Sequence, residues 1–364
     1  MKFRGVRCSD LMMMLRLLAV AIVGGLSVAS CAGQEPPPLP PPPIHRGLNI
    51  LGSDPIWMNP AAGRFRPEYF ATIKGAGFDF VRVAAAAMRY MDASDQIDPR
   101  YLQRMDWVVA NARAAGLSVI IDEHDFEFCA SNAVICRRKL LAFWRQVSVR
   151  YRREPGTLLF EILNEPKWQM DPVWNDTIAD VLKVIRATNP DRTVVIGPRM
   201  ANKIQTLDDL RLPDDDRHIL VTFHYYEPFS FSHQGAPWDP HWKSVHGQTW
   251  GAPADRATLS ADFDRMAAWA RRERRPVLLG EFGAFDQSGT PMPQRTTYIA
   301  AIAREAEKHG FAWCYWQFDG DFIAYDIQRN AWVGPILNAL IPGGTSAQPA
   351  EKAPAKRVVR GSSQ

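Results

Sequence analysis

With 364 residues, 46% hydrophobic and 23% charged, the chain has globular composition and length enough for one large domain or two small ones. Its formal charge of +4 does not mark a nucleic-acid partner, because the excess sits at the two ends. Lys2, Arg4, Arg7 and Arg16 against Asp10 make the first 31 residues basic by three, and Lys352, Lys356, Arg357 and Arg360 against Glu351 do the same for the tail, so the body between is acidic by about two and lacks the basic stripe such binding needs.

The first 32 residues read as an export signal: a basic region, the apolar run Leu17 to Val28, then small residues around Ser30 and Ala32. That run is too short to span a bilayer comfortably. Met12, Met13 and Met14 leave the starting methionine open. Val28-Ala29-Ser30-Cys31 resembles a bacterial lipobox, in which Cys31 becomes lipidated; the other reading is ordinary cleavage after Ala32. A bacterial protein that is secreted or periplasmic, touching a membrane only through a lipid on Cys31, is expected. Residues 33–43 form a stiff polyproline tether, EPPPLPPPP from Glu35 to Pro43. Residues 44–342 are the expected folded unit, and 343–364 a basic, disordered tail.

Within the folded unit, eight short β-rich runs recur: Arg46–Leu51, Phe80–Val83, Val119–Asp122, Leu158–Leu163, Thr193–Ile196, Ile219–Phe223, Val277–Gly280 and Ala312–Tyr315. Helical patterns over Tyr101–Ala115, Arg138–Arg152, Trp174–Ala187, Leu259–Arg274 and Arg295–His309 alternate with them. Gly77, Gly116 and Gly310 stand where helices should stop. Eight strands alternating with helices, and no GxGxxG turn after the first, predict a (β/α)8 TIM barrel with a single catalytic domain. Of five cysteines, Cys129 and Cys136 flank a short loop and could close a disulfide in an exported protein; Cys314 reads as a buried core thiol. No paired CxxC or HExxH marks a metal cluster, and no metal or cofactor is expected.

In such a barrel, residues just beyond the strands line the active site. Here those positions hold Arg82, Asp122-Glu123-His124, Asn164-Glu165, His224-Tyr225-Tyr226, Glu281 and Trp316. Leu158–Pro166 reads LLFEILNEP, Val277–Ala284 reads VLLGEFGA, and 224–238 reads HYYEPFSFSHQGAPW. These three motifs, in their order along the chain, resemble glycoside hydrolase family 5, the cellulase family, and the one at 224–238 is similar to a loop of its endo-β-1,4-glucanases.

The resemblance implies a retaining double displacement with Glu165 as acid/base and Glu281 as nucleophile. The chemistry needs such a pair, one carboxyl protonated and one ionised, about 5–5.5 Å apart, and only a fold can bring positions this distant in sequence together. By the same resemblance Arg82 would hold Glu281, His124 and Asn164 would bind sugar hydroxyls, His224 would orient the acid/base, Tyr226 would donate to Glu281, and Trp316 would floor the sugar. Other readings stay open. Arg82 could pair with Asp122 or Glu123, the histidines could merely pack at the rim, Tyr225 could take the place of Tyr226, and Glu161 reads as structural or as a partner for an arginine.

Of twelve tryptophans, Trp57, Trp168, Trp174, Trp238, Trp242 and Trp250 lie in predicted loops, where they could stack on sugars or staple the loops; Trp238 and Trp168 are the leading platforms. The expected activity is endo-hydrolysis of a β-1,4-glucan by a monomer, with the HQGAPW segment favouring glucan. A mannanase, a xyloglucanase or a β-1,3-glucan hydrolase would use the same pair. A non-catalytic glycan-binding lipoprotein and a metal-dependent hydrolase built on His124 and His224 are the readings from other classes.

Overall fold

The computed structural model describes residues 38–52, 54–287 and 289–344. The export signal with Cys31, residues 33–37 of the tether, and the tail from 345 lie outside them.

Eight parallel strands close on themselves: β1 (Arg46–Ile50), β2 (Phe80–Ala85), β3 (Ser118–Glu123), β4 (Leu158–Glu161), β5 (Val194–Ile196), β6 (Ile219–His224), β7 (Val277–Glu281) and β8 (Ala312–Tyr315). The barrel shuts where β1 pairs with β8. Because strand side chains alternate with period two, each strand feeds two environments. One set, including Val81, Val119, Leu158, Val194, Val221, Val277 and Trp313, faces outward into the apolar layer beneath the helices. The other set fills the barrel, where Phe80, Ile120, Leu159, Val195, Leu220, Leu278 and Ala312 form a closed apolar plug with Ile44 and Cys314.

One period further along the same strands the inward positions turn polar, with Arg82, Asp122, Glu161 and Thr222 all buried. The plug is thus a dry floor under a polar site at the strands' C-terminal ends. The sequence placed Arg82 near the end of its strand. In the structure β2 runs on to Ala85, so Arg82 sits inside the barrel and is fully buried.

Helices α1 (Glu68–Gly75), α2 (Pro99–Ala114), α3 (Phe126–Ser131), α4 (Ala133–Arg150) and α5 (Trp174–Arg186) are followed by long helices at Pro253–Glu273 and Met292–Lys308. Helix α2 begins on an Asp98 cap that accepts from Arg100 N, with Pro99 in its first turn. Gly116 and Gly310 end their helices at φ of 75° and 71°, a region that disfavours a side chain. Cys129 of α3 is joined to Cys136 of α4 by a disulfide.

Several loop tryptophans are packed as staples. Trp174 opens α5, is buried, and donates from Nε1 to Gly197 O at 2.9 Å. Trp57 stacks on Tyr101 at 4.8 Å, and Trp250 packs edge-on against Tyr298. Hydrophobicity places an indole inside as readily as over a ligand, and sequence alone does not separate the two.

Candidate active site

Glu165 and Glu281 meet at the mouth of the barrel. One carboxylate oxygen of each and a ring nitrogen of His224 all lie within 4.8 Å of one another. Strict alternation along β7 would send Glu281 outward with Leu279. A bulge prevents this: Phe223 pairs with Leu279 but His224 pairs with Glu281, so Gly280 is skipped and the carboxylate is re-aimed inward. Only glycine fits there, since a Cβ would come within 2.5 Å of Thr222 Oγ1 and 3.0 Å of His224 Nε2. Glu165 lies beyond the end of β4 at φ 38°.

Arg82 organises the floor of the site. Its guanidinium donates to both oxygens of Glu161 at 2.6 and 3.0 Å, to Asn49 and Asn164 Oδ1 at 2.8 Å each, and to Glu281 Oε1 at 2.8 Å. Asp122 Oδ2 lies 3.0 Å from Nη2. The alternatives for Arg82 are therefore not exclusive, because it holds Glu281 and Asp122 together, and Glu161 is its forked partner. Burial opposes the charge, but Asp122, Glu161 and Glu281 outweigh it and hold the pKa well above the ordinary arginine value. Because arginine only donates, Asn164 must turn its carbonyl to Arg82, which leaves its NH2 to donate elsewhere.

Glu281 Oε2 accepts from Tyr226 Oη at 2.9 Å, while Tyr225 points to the other face and donates to Asp262 at 3.0 Å. The ambiguity between the two tyrosines resolves to Tyr226. His224 Nδ1 lies 2.9 Å from Glu165 Oε1 and 3.5 Å from Glu281 Oε2. Burial pushes the His224 pKa down to about 4 against the pull of Glu281, so the ring is neutral at ordinary pH. Burial likewise raises the Glu165 carboxyl above its usual range, opposed chiefly by the ammonium of Lys167. A carboxyl biased toward its protonated form thus stands beside one gripped by donors.

His124 Nδ1 is 2.5 Å from Asp122 Oδ2, and its ring lies parallel to Trp316 with centroids 5.5 Å apart. Burial lowers its pKa to about 4, with Arg82 adding to the effect. Two cavities open at the mouth, both bordered by Phe126 and Glu127. One of about 620 Å³ is lined by His124, Trp316, Trp57, Tyr90 and Arg89. The other, of about 450 Å³, is lined by Glu165, His224, Tyr226, Lys167, Trp168 and Trp238. Trp168 and Trp238 are exposed by 71% and 50%, so both present free ring surface, in contrast to Trp57, Trp174 and Trp250.

Glu165, His224 and Glu281 have the proximity of a metal-ligand group, but each is already engaged by Arg82, Tyr226, Asn202 or one another. His124 does not join that group. The sequence reading missed three contributors. Asn49, a polar residue at an inward position of apolar β1, donates to Gly280 O at 3.0 Å while accepting from Arg82; that inward register was its signal. Lys167 and Asn202 come from loops, where no periodicity points to them.

Comparison with known proteins agrees with this geometry. The model of Cellulase (glycosyl hydrolase family 5) matches residues 42–321. Endoglucanase H of Acetivibrio thermocellus is 31% identical over 288 residues, covering 76% of this chain but only 30% of that protein, and Endoglucanase B of Clostridium cellulovorans is 24% identical, covering 83% and 73%. The chain therefore spans less than a third of the first of these relatives. Among solved structures, endoglucanase Cel5A of Thermotoga maritima superposes with a TM-score of 0.76 at 34% identity, covering 82% of this chain and 97% of that one. The cellulose synthase subunit Z of Clostridioides difficile gives 0.77 at 34%, covering 82% and 99%. With the matched region holding the barrel, both glutamates and the residues that grip them, this chain belongs to glycosyl hydrolase family 5, the cellulase family.

Proposed function

We propose that the protein is a retaining endo-β-1,4-glucanase. The observation that carries this reading is the approach of the Glu165 and Glu281 carboxylates to within 4.8 Å at their nearest atoms. That suits a nucleophile attacking directly, whereas an inverting pair stands about 6.5–9.5 Å apart to admit water between. In the first step Glu281 attacks the anomeric carbon, the glycosidic bond breaks toward oxygen, and Glu165 gives that oxygen its proton. In the second, Glu165 takes a proton from water, which attacks the sugar and releases Glu281. Arg82 and Tyr226 hold the nucleophile in line, and the NH2 of Asn164 is available to a sugar hydroxyl.

Since Glu165 lines the 450 Å³ cavity, the leaving portion of the chain belongs there, against Trp168 and Trp238. The glycone then lies in the 620 Å³ cavity over Trp316 and His124. Cavities on both sides suit cleavage within a polymer. Glucan is favoured by the relatives named endoglucanase. A mannan is the second reading, favoured by Thermotoga maritima Cel5A, whose structures include complexes with cellobiose and with mannotriose. Export, through ordinary cleavage or a lipid on Cys31, is proposed from the leader's composition. Release of reducing sugar from carboxymethylcellulose, mannan and laminarin tests the substrate: carboxymethylcellulose should be preferred, and equal or faster hydrolysis of mannan would overturn the glucan assignment.

A further inference from the structure

Behind His224 the backbone does something costly. Met200, Ala201 and Asn202 all adopt left-handed conformations, with φ of 59°, 62° and 57°. None is glycine, and strain of this kind persists only where the surroundings enforce it. Here they do: Met200 N donates to Asp171 Oδ1 at 2.8 Å, Ala201 N donates to the carbonyl of Pro166, next to Glu165, at 2.9 Å, and Thr206 Oγ1 donates to Arg199 O at 2.8 Å. The turn delivers one side chain. Asn202 is fully buried, and its Nδ2 lies 3.2 Å from His224 Nε2. Gly197 makes room for it, since a Cβ there would come within 2.0 Å of Asn202 Oδ1.

We propose that Asn202 is a positioning residue that fixes which nitrogen of His224 carries the proton, and thereby which oxygen of Glu165 serves as the acid. This rests on Glu165 being the acid/base. Donation from Nδ2 occupies the Nε2 lone pair, so the neutral ring must carry its proton on Nδ1. Nδ1–H then donates to Glu165 Oε1 at 2.9 Å and faces Glu281 Oε2 at 3.5 Å. The reverse assignment would turn a bare lone pair toward both carboxylates and bury an unpaired NH2, whereas this one leaves Asn202 Oδ1 as the unpartnered atom of the Asn202–His224 pair.

With Oε1 engaged as an acceptor, the acidic proton resides on Oε2. In the first step the Oε2–H bond breaks and its proton goes to the glycosidic oxygen, which takes the electron pair of the breaking C–O bond, while Glu281 forms the new bond to carbon. Without the lock the ring can turn Nδ1 into an acceptor and draw the acid's proton to itself.

The test is leaving-group dependence of kcat/KM, which reports the first step. Asn202→Asp keeps the shape but replaces the donor with an acceptor. It should lower kcat/KM on cellotetraose by roughly 10- to 100-fold. On 2,4-dinitrophenyl β-cellobioside, whose leaving group needs no proton, the change should be less than about 3-fold. Equal losses, no loss, or a larger loss on the activated substrate would overturn the proposal. Glu165→Ala in the same assay separates the premise from the inference: if it lacks the selective loss the acid assignment fails, and if it shows the loss while Asn202→Asp does not, only the role of Asn202 fails. Nitrogen NMR of histidine-labelled native enzyme reads the ring with no variant at all. Protonated Nδ1 and bare Nε2 are expected at His224, and a protonated Nε2 in the neutral ring would overturn the proposal.

Discussion

The Glu165 carboxyl owes its character to burial and to two neighbours that act differently. Burial raises the Glu165 carboxyl, His224 hydrogen-bonds one of its oxygens, and Lys167, whose ammonium lies 4.6 Å from the Phe126 ring centre and 5.2 Å from that of Trp168, pulls the pKa back down. Glu165 must be protonated for the first step, so the alkaline limb of kcat/KM follows its pKa. Lys167→Met removes the positive charge that favours the carboxylate, so that limb should move to higher pH, while Lys167→Arg should leave it near its native position. A limb that stays put or moves down in Lys167→Met would contradict this electrostatic role. The residues legible in the sequence were those on strands or just past their ends: Arg82 takes its place from period-two alternation, while Glu165, Glu281 and the His-Tyr-Tyr run were marked by where their apolar strands stop. Lys167 and Asn202 depend on loop geometry that no local pattern encodes, and Tyr226 could be separated from Tyr225 only once the strand end was fixed.

At the scale of elements, all eight strands and the main helices were legible, because apolar runs bounded by glycine and polar residues specify buried parallel strands strongly. The bulge at Gly280 was not, although it decides which way Glu281 points; a bulge is a mismatch between two distant strands and has no signature in either alone. Likewise, Trp57, Trp174 and Trp250 become staples only when they meet Tyr101, the Gly197 carbonyl and Tyr298. Helix α3 carries Phe126 and Glu127, which line both cavities, and the Cys129–Cys136 disulfide anchors it to α4. Replacing both cysteines with serine should lower stability by roughly 2 kcal/mol, read from urea unfolding, through release of the closed loop. It should also raise KM by a larger factor than it lowers kcat, because α3 touches the cavities but none of the groups that exchange bonds. An unchanged unfolding midpoint, or a loss confined to kcat, would count against that account.

The whole molecule divides its labour along the barrel axis. An apolar plug below makes a dry floor, the buried Arg82 network above it grips Glu281, and the loops at the mouth shape two cavities. This division explains why chemistry was easier to read than specificity. The catalytic pair is written at strand ends, whereas the choice of polymer depends on loops contributed by many segments, including the one that presents Trp238. In the proposed mechanism Glu281 attacks the sugar directly and Glu165 serves as acid and then base. Following the anomer of freshly released product by proton NMR during hydrolysis of cellotetraose tests it most directly. Two displacements predict that the β-anomer appears first and equilibrates later by mutarotation; initial appearance of the α-anomer would mean inversion by a single displacement and would contradict the account.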